Sequence, residues 1–293
     1  RKSPPGIPFP GIMANTVSGR TAPEKKYYTV GVLTKAFSVI EIMSRESKWE
    51  LGRLAASAGM PKGTLQRILL TMVELGYVSR DRSQYALNLE FYRLGQRIAA
   101  NNSILEHARP LCRKLMQAVN ETVNLCVGLN TEMVVVDQQI PWQTLRLDSI
   151  VGSSFPIFLS ASGKAYCAFL DELKLLRLLQ EIRRENQEIE QKAVDRFLAE
   201  LESVRVEGLG FDREELFQGL RSISAPIFDC TGNVIATVGC SMPTVRVTPE
   251  KSELLAREVA NCAAQISRSL GAAPRLFSPG AHAMLDEAPP ATE

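Results

Sequence analysis

Five residues of the run "KGTLQR" have the chemistry to contact a nucleic acid duplex. Lys62, Gly63 and Thr64 open the run, and Gln66 and Arg67 close it. If a helix begins here, its first turn offers free backbone N–H groups to a phosphate, and Gly63 has no side chain to hold a duplex away. Gln and Arg can form paired hydrogen bonds with the edges of adenine and guanine. These five residues are therefore predicted to contact DNA.

The same segment has the apolar spacing of a helix that packs on one side. At roughly 100° per residue its apolar side chains form one stripe, and Arg67 points almost directly away from it. The stripe consists of Leu65, Ile68, Leu69 and Met72. The turn "GMP" separates this helix from the helical stretch "LAASA", which predicts a helix-turn-helix. An earlier helix, "VLTKAFSVIEIMS", places Val32, Phe37, Ile40 and Met43 near helical spacing.

A strand-like segment follows the second helix of this motif. After Gly76, "YVSRDRSQYAL" is typical of two short strands around the polar turn 81–83. Such a hairpin would act as a wing, with Arg80 and Arg82 available for phosphates or the minor groove. A small three-helix bundle that binds nothing has the same apolar spacing, so the polar face and the basic hairpin together carry the DNA prediction.

Composition limits the class of protein. The 293 residues, 45% of them hydrophobic, can bury more than one core, and the net charge is only +2. Residues 1–90 carry 13 basic and seven acidic residues, whereas residues 91–293 carry 21 and 25, so the basic part lies at the N-terminal end. No apolar run approaches the ~18 residues of a membrane span, and nothing resembles a signal peptide. We therefore expect a cytoplasmic protein.

The ligands of a metal site are missing from the sequence. The six cysteines form no C-x-x-C pair, and the only histidines are His107 and His282. The cysteines are predicted to be buried free thiols, and we expect neither a metal nor a cofactor.

Beyond the first 90 residues, helices and strands alternate. Residues 89–118 have a helical pattern, with interruptions expected near 101–103 and before Pro110. Two antiparallel hairpins are predicted, one around Asn130-Thr131 and one around "DCTGN". Helices are predicted in "ASGKAYCAFLDELKLLRLL" and "EIEQKAVDRFLAELESVRV", and a last helix from Thr248-Pro249-Glu250 to Gly271. The pattern is that of an α+β domain.

Taken together, these stretches resemble the IclR family of bacterial transcriptional regulators. The resemblance rests on "LGRLAASAGMPKGTLQRILLTMVELGYV", "YALN", "FPIFLSASGKAYCAFL" and "EGLGFDREELFQGLRSISAPIFDCTGNVIATVGCSMPTVRVT", over about residues 29–272. It implies an α+β fold with an N-terminal winged helix-turn-helix, a linker helix and a C-terminal GAF-like domain with an antiparallel sheet and flanking helices. The expected ranges are a disordered leader 1–28, the DNA-binding domain 29–90, the linker 91–109, the effector-binding domain 110–272 and a disordered tail 273–293.

The resemblance also implies a function. We expect a ligand-responsive regulator, a repressor rather than an activator, that binds palindromic double-stranded operator DNA. Members of the family are homodimers or homotetramers, joined partly through the N-terminal region and the linker helix. The effector is expected to be a small organic acid.

The effector site implied by the resemblance combines hydroxyls, one acid and apolar side chains. Its expected residues are Ser160, Ala161, Ser162, Asp212, Leu220, Ser222 and Ser241. Hydroxyls and free N–H groups just before a helix suit a carboxylate. Phe158 stands where many members have His, and Gly239 where some have Ser. Both departures predict a less polar pocket and an aromatic or medium-sized apolar acid.

Other readings of the same residues stay open. Ser160 and Ser162 could serve only as helix caps, and Asp212 could belong to a solvated acidic turn. An enzyme is not favoured, because "SASGK" lacks the S-x-x-K spacing and no G-x-S-x-G elbow occurs. The alternative function is a small-molecule-binding or interaction module without specific DNA binding.

Overall fold

The structure, a computed structural model, describes residues 30–100, 103–185, 191–275 and 277. The predicted leader 1–28 and all but four residues of the predicted tail 273–293 lie outside the described residues. The described chain forms two compact units, which divide between residues 102 and 103. The fold is mixed α+β, as expected.

The N-terminal unit contains four helices and a three-stranded antiparallel sheet among its described residues. In chain order its elements are α1 (Gly31–Met43), β1 (Trp49–Glu50), α2 (Leu51–Ser57), α3 (Lys62–Glu74), β2 (Val78–Asp81), β3 (Gln84–Leu87) and α4 (Glu90–Ala100). The predicted stripe of α3 is buried at all four positions and packs with Val39 and Met43 of α1 and Leu54 of α2. The helix-turn-helix and its β2–β3 wing are therefore present.

Strand β1 was not predicted from the sequence. Trp49 pairs with Tyr85 and Glu50 with Gln84, which adds β1 to the edge of the wing. The buried Trp49 side chain donates from Nε1 to the carbonyl of Met43 at 3.2 Å. Two residues carry no periodicity, so only this tertiary packing identifies the strand.

The helix predicted over this stretch is present as α1, but its apolar side chains are buried only in its second half. Val39 and Met43 are buried, whereas Val32 and Phe37 are 63% and 64% exposed. The buried positions lie in the second half of the helix, so only that half joins the core of its own unit. The first half leaves an apolar surface uncovered.

The C-terminal unit is built on a six-stranded antiparallel sheet with the order β6-β5-β4-β9-β8-β7. Its elements are α5 (Ser103–Val119), β4 (Thr122–Leu129), β5 (Glu132–Gln139), β6 (Ser154–Pro156), a 3-10 turn (Ile157–Leu159), α6 (Ala161–Cys167), α7 (Glu172–Glu185), α8 (Gln191–Glu207), β7 (Gly210–Arg213), β8 (Leu220–Phe228), β9 (Val234–Pro243), a 3-10 turn (Thr244–Arg246) and α9 (Pro249–Ser269). Helices α5 and α9 pack together on central strands, and α6 packs against β7, β8 and β9.

The interruption expected before Pro110 is not observed. Helix α5 continues through Pro110, and its buried positions Ala108, Cys112, Leu115 and Val119 repeat at helical spacing on both sides of it. This continuous packing outweighs the roughly 3 kcal/mol that a proline costs inside a helix. The boundary proposed at 110 between linker and domain therefore falls inside one helix.

Turn and cap signals located the two hairpins and the last helix correctly, whereas the single helix predicted in "ASGKAYCAFLDELKLLRLL" is two helices, α6 and α7, separated at residues 168–171. Asn130 has φ 53° in the β4–β5 turn, and Gly232 has φ 84° in the β8–β9 turn. The hydroxyl of Thr248 accepts from the backbone N–H of Lys251 at 3.2 Å and begins α9, and Gly271 follows its end with φ 85°. Left-handed φ values favour Asn and Gly, which is why these positions were readable in the sequence.

Candidate functional site

The first candidate surface is the start of α3. Pro61 precedes the helix as its N-cap and offers no side-chain cap; its carbonyl accepts from the N–H groups of Thr64 and Leu65 at 3.0 and 3.1 Å. Within the described residues, the backbone N–H groups of Lys62 and Gly63 have no acceptor. The helix start therefore presents two unsatisfied donors together with the positive end of its dipole.

The polar face of α3 is open to solvent. Lys62, Gly63, Gln66 and Arg67 are exposed, and Thr64 is half-buried. A Cβ added to Gly63 would have nothing within 4 Å, so a partner can approach the backbone there closely. Lys62 and Arg67 have no acidic partner in the described ranges, which leaves both charges available to phosphate or base.

The wing presents two arginines at its tip. Arg80 and Arg82 are both exposed. The Arg80 guanidinium lies 5.6 Å from the centre of the buried Tyr85 ring, and its Nε donates to the carbonyl of Arg82 at 3.1 Å. Arg82 has φ 52° in the turn. The hairpin therefore holds both charges at one end.

The second candidate site is a cavity in the C-terminal unit. All seven residues predicted for the effector line this one cavity, whose volume is about 60 Å³. They come from the start of α6 and from β7, β8 and β9. Gly239, which was expected at the pocket as a departure from the family, also lines it. Eight further lining residues were not predicted: Asn124, Leu147, Ser149, Phe155, Leu216, Phe217, Ile223 and Cys240. Leu147 and Ser149 lie in the long β5–β6 connection, where no motif marks them, and Phe155 lies on β6 at the start of "FPIFLSASGKAYCAFL".

The start of α6 forms one wall. Ser160 caps the helix, since its Oγ accepts from the N–H of Gly163 at 3.0 Å, and the Oγ of Ser162 donates to that of Ser224 at 3.3 Å. A Cβ on Gly163 would overlap the carbonyl of Ile157, so the helix folds back on the preceding 3-10 turn only because this residue is glycine. Ser160 is thus a cap, as one reading expected, and it also lines the cavity.

A serine pair and one acid provide the remaining polar groups. The Oγ atoms of Ser222 on β8 and Ser241 on β9 are 2.9 Å apart. Oδ1 of Asp212 accepts from the N–H groups of Glu215 and Leu216 at 2.8 and 3.3 Å. Oδ2 of Asp212 is buried and has no partner in the part of the chain that the structure describes. A buried oxygen that lines a cavity and lacks a donor calls for one from a ligand or a water.

Burial controls the ionisation of Asp212. The loss of solvent, together with the charge of Glu215, raises the pKa of this carboxyl, which is about 6 against an ordinary value of 3.8. The N–H groups of Glu215 and Leu216, and the ammonium of Lys164, act in the opposite direction. Asp212 therefore titrates close to neutral pH, as carboxyls in ligand sites often do.

One premise for an apolar pocket is wrong. Phe158 does not line the cavity: its ring packs on Phe197 of α8 with centroids 4.7 Å apart. A Cβ on Gly239 would lie 2.6 Å from the carbonyl of Ile223 and 2.8 Å from the hydroxyl of Ser224, so glycine is required there by packing. The apolar walls come instead from Leu147, Phe155, Leu216, Phe217, Leu220 and Ile223.

The state of the cysteines, the absence of a metal-binding group and the composition of the helices can be read from the described residues. All six cysteines are free; five are buried, and Cys230, in the β8–β9 turn, is exposed contrary to expectation. Burial raises the pKa of Cys126 to about 12. Across the described ranges, no three His, Cys, Asp or Glu side chains are grouped so as to hold a metal ion. In the same residues no helix combines the length and apolar composition of a membrane span.

Two family models match the chain. The model described as "IclR helix-turn-helix domain" matches residues 32–82, and the one described as "Bacterial transcriptional regulator IclR C-terminal" matches residues 96–268. The chain is 29% identical over 251 residues to the HTH-type transcriptional regulator KdgR of Escherichia coli K12, a match covering 85% of this chain and 95% of the relative. It is 27% identical over 270 residues to the transcriptional repressor IclR of the same organism, covering 90% and 98%.

Solved structures show the same fold. The IclR transcriptional regulator from Alicyclobacillus acidocaldarius superposes with a TM-score of 0.70 at 24% identity, covering 82% of this chain and 99% of that one. The Thermotoga maritima IclR superposes with a TM-score of 0.64 at 26% identity, covering 83% and 100%.

Proposed function

Because the chain belongs to the IclR family of bacterial transcriptional regulators, we propose that it is a cytoplasmic repressor controlled by a small organic acid. Family membership makes it a DNA-binding regulator; the palindromic operator, the direction of regulation and the effector class are the proposal. The exposed face of α3, which has Arg67 opposite a fully buried apolar stripe, is the observation that carries it.

For operator binding, α3 lies in the major groove. Lys62 and the free N–H groups at the helix start contact phosphate, Gln66 and Arg67 contact base edges, and the wing arginines contact the backbone or the minor groove. Two copies of the N-terminal unit then occupy half-sites about one helical turn, or a multiple, apart on a palindrome. The uncovered apolar side chains of α1 and α4, among them Phe37 and Ile98, suit the homodimer or homotetramer that this arrangement needs.

For effector binding, the cavity separates polar from apolar contacts. Ser222 and Ser241 share one hydrogen bond, so one of their two hydroxyl protons is free to donate to a carboxylate. The Ser162 hydroxyl can donate as well by turning away from Ser224, and Oδ2 of Asp212 accepts from a donor elsewhere on the ligand. Six apolar side chains favour an apolar or aromatic body. A water occupies roughly 10–15 Å³ on the same measure, so about 60 Å³ holds only a few water-sized groups. An aromatic acid therefore requires a wall to move outward.

Effector binding can change operator affinity because the two binding equilibria are thermodynamically linked. An effector that binds one quaternary arrangement more tightly shifts the population toward it, and operator affinity changes by the same coupling free energy. In a repressor, the favoured arrangement separates the two recognition helices from their half-sites.

The geometry gives no support to an enzyme. The Ser160 hydroxyl caps α6, and the Lys164 ammonium is bound by two carboxylates, so neither is available as a nucleophile or base. The relatives are transcriptional regulators.

The test of the DNA proposal is Arg67→Ala. Binding of the full chain to fragments of its own genome, measured by fluorescence anisotropy at moderate salt, should select at least one fragment. Arg67→Ala should weaken that specific binding by about 1–3 kcal/mol and relax sequence preference. Arg45→Ala, an exposed basic residue at the end of α1, is the matched control and should change nothing. If no fragment is preferred, the interaction-module alternative stands and the repressor proposal fails.

The effector class is tested separately by thermal shift. Benzoate and its ring-substituted relatives should raise the melting temperature of the full chain more than malonate or lactate does. Stabilisation by the small hydrophilic acids alone would contradict the apolar-acid proposal.

A further inference from the structure

A buried lysine lies directly behind the cavity wall. Lys164, in the first turns of α6, is 1% exposed, although lysine is almost never fully buried without a partner. None of the seven predicted effector residues is Lys164, and it does not line the cavity. Lys164 can therefore affect the cavity only through the groups that its ammonium contacts.

The ammonium group of Lys164 joins three parts of the C-terminal unit. Nζ donates to the carbonyl of Phe211 on β7 at 2.9 Å and to the two carboxylate oxygens of Glu215 at 2.6 and 2.7 Å. It also pairs with Glu200 of α8 at 2.6 Å. These three acceptor groups match the three N–H donors of an ammonium, so its hydrogen-bonding capacity is used.

Glu215 belongs to the segment that closes the cavity. We call residues 214–219, between β7 and β8, the lid loop. Leu216 and Phe217 of the lid loop line the cavity, and Phe217 is 56% exposed, so it lies between the cavity and solvent. The backbone N–H groups of Glu215 and Leu216 also donate to Asp212. The position of Glu215 therefore determines where Leu216 and Phe217 form the cavity wall, and it also determines which N–H groups reach Asp212.

The far end of the lid loop has its own attachment. Glu214 accepts from the N–H of Gly219 at 2.7 Å and from the hydroxyl of Thr244 at 3.0 Å, and the N–H of Thr244 donates to the carbonyl of Gly219 at 2.9 Å. Glu214 and Gly219 have φ 69° and 78°. These bonds tie the two ends of the lid loop together on the β8–β9 side, and Asp212 holds the Glu215 and Leu216 amides, whereas the Glu215 side chain is held by Lys164.

The positive charge of Lys164 balances nearby carboxylates, so replacing Lys164 by an apolar side chain should disturb the lid loop. The side chains of Glu215 and Glu200 are 9% and 26% exposed, and Asp212 is 1% exposed. Without the ammonium, two neighbouring carboxylates would repel each other with little solvent to screen them. Of these groups only Glu215 lies on a loop, and its outward movement would carry Leu216 and Phe217 away from the cavity.

We propose that Lys164 is a positioning residue for effector binding, which latches the lid loop over the cavity through Glu215. This inference rests on the proposed function for its ligand, but the latch itself is a property of the chain alone. Entry of an acid larger than the closed cavity then requires the latch to open. Lys164 consequently sets how fast the effector enters and leaves.

Hydrogen exchange tests the latch without any ligand. In full-length Lys164→Met, the amides of Glu215 and Leu216 should exchange at least about tenfold faster than in the wild-type protein, while the amide of Gly219, which Glu214 holds, and the α9 amides keep their rates. Lys174→Met is the matched control: it removes an exposed lysine, which is paired with Asp171 at 2.8 Å on the surface. If Lys164→Met does not fold, Glu215→Gln replaces it, because the amide keeps the shape and loses the charge. Unchanged lid-loop exchange in a folded variant overturns the proposal.

Binding kinetics separate positioning from simple loss of structure. With benzoate as the probe and surface plasmon resonance as the measurement, Lys164→Met should bind at least about tenfold more weakly, with faster association and still faster dissociation. Slower association with unchanged dissociation would indicate a damaged site and would refute the latch. If benzoate does not bind the wild-type protein, the effector class is wrong, and the exchange rates alone decide the latch.

Discussion

At the scale of single residues, Asp212 combines two properties that proteins usually keep apart. Its carboxyl is buried, yet only one of its two oxygens has donors within the described part of the chain. A group in this state costs stability unless a ligand satisfies it. Asp212 therefore contributes less to the fold than to whatever enters the cavity.

This cost predicts a pH dependence. The folded-state pKa of Asp212 is raised from 3.8 to about 6, so between these values the folded chain binds more protons than the unfolded chain. The contribution of Asp212 to stability is thus present below about pH 4, falls as pH rises toward 6 and stays low above it. Asp212→Asn cannot ionise, and its amide oxygen can still accept from Glu215. Relative to the wild-type protein, the variant should gain up to about 3 kcal/mol between pH 4 and 7.

The free energy of unfolding of both proteins is measured by urea denaturation at several pH values. Hydrogen-exchange protection of the β8 amides reports on the C-terminal unit. Ser222→Ala, which changes a cavity hydroxyl without a charge, serves as the control and should run parallel to the wild-type protein. Parallel curves for Asp212→Asn would show that burial does not penalise this carboxylate.

The residues of the candidate site could be predicted from the sequence where they stand in a motif of the family. Four of the five lining serines, and the acid, were identified because they stand in recognisable stretches, whereas Ser149 stands in none. The prediction that Phe158 makes the pocket less polar was wrong, because a side chain near a site in sequence can point into the core behind that site. The role of Lys164 could not be predicted from the stretch "SASGK", because its partners Glu200 and Glu215 lie far away in sequence and meet it only after folding.

At the scale of elements, two glycines near helix starts have opposite surroundings. A Cβ on Gly63 of α3 would meet nothing within 4 Å, whereas one on Gly163 of α6 would overlap the Ile157 carbonyl. Neither has a positive φ, so the difference lies in the neighbours and not in the backbone. Gly163 is required by packing within the chain, and Gly63 is not.

Gly63→Ala should therefore stabilise the N-terminal unit and weaken operator binding. Alanine favours a helix over glycine by up to about 1 kcal/mol, and nothing in the unit opposes the methyl group. The same methyl group would stand where we propose that the duplex approaches α3. Thermal unfolding and fluorescence anisotropy with the selected genomic fragment give the two readings.

Gly163→Ala is the contrasting variant and should destabilise the C-terminal unit by about 1–3 kcal/mol or more, because it forces backbone apart. A Gly63→Ala protein that binds the fragment as tightly as the wild-type protein would mean that the duplex stays away from this turn.

Elements could be predicted where local signals define them. The hairpins were located by Asn130 and Gly232, and α9 by Thr248 and Gly271, because these residues favour special backbone conformations or caps. Strand β1 and the continuation of α5 through Pro110 depend on partners distant in sequence, so local reasoning missed them. The order of the six strands is likewise a property of the whole sheet.

At the scale of the molecule, the apolar pattern of α1 raises a question that its sequence could not answer. The spacing predicts an apolar face, but not whether that face meets the chain's own core or another copy. In the structure Val39 and Met43 join the core, whereas Val32, Leu33 and Phe37 do not. Exposed apolar side chains at successive positions of one helix indicate a surface that is covered in the assembled protein. Under the proposed function, the cover is the equivalent region of a second copy.

Phe37→Asp tests this assignment. Burying a phenylalanine contributes about 1.5–3 kcal/mol, and an unpaired carboxylate in its place adds a further penalty. Self-association, measured by sedimentation equilibrium, should therefore weaken by at least about 2 kcal/mol, which is about thirtyfold in the dissociation constant. Operator affinity should fall with it, because a single recognition helix then binds a single half-site. Ser38→Asp adds the same charge at an exposed position one residue further along α1 and is the control. If Phe37→Asp associates like the control and still binds the full operator, the first half of α1 is not where two copies meet, and the exposed apolar residues of α4 are the next surface to test.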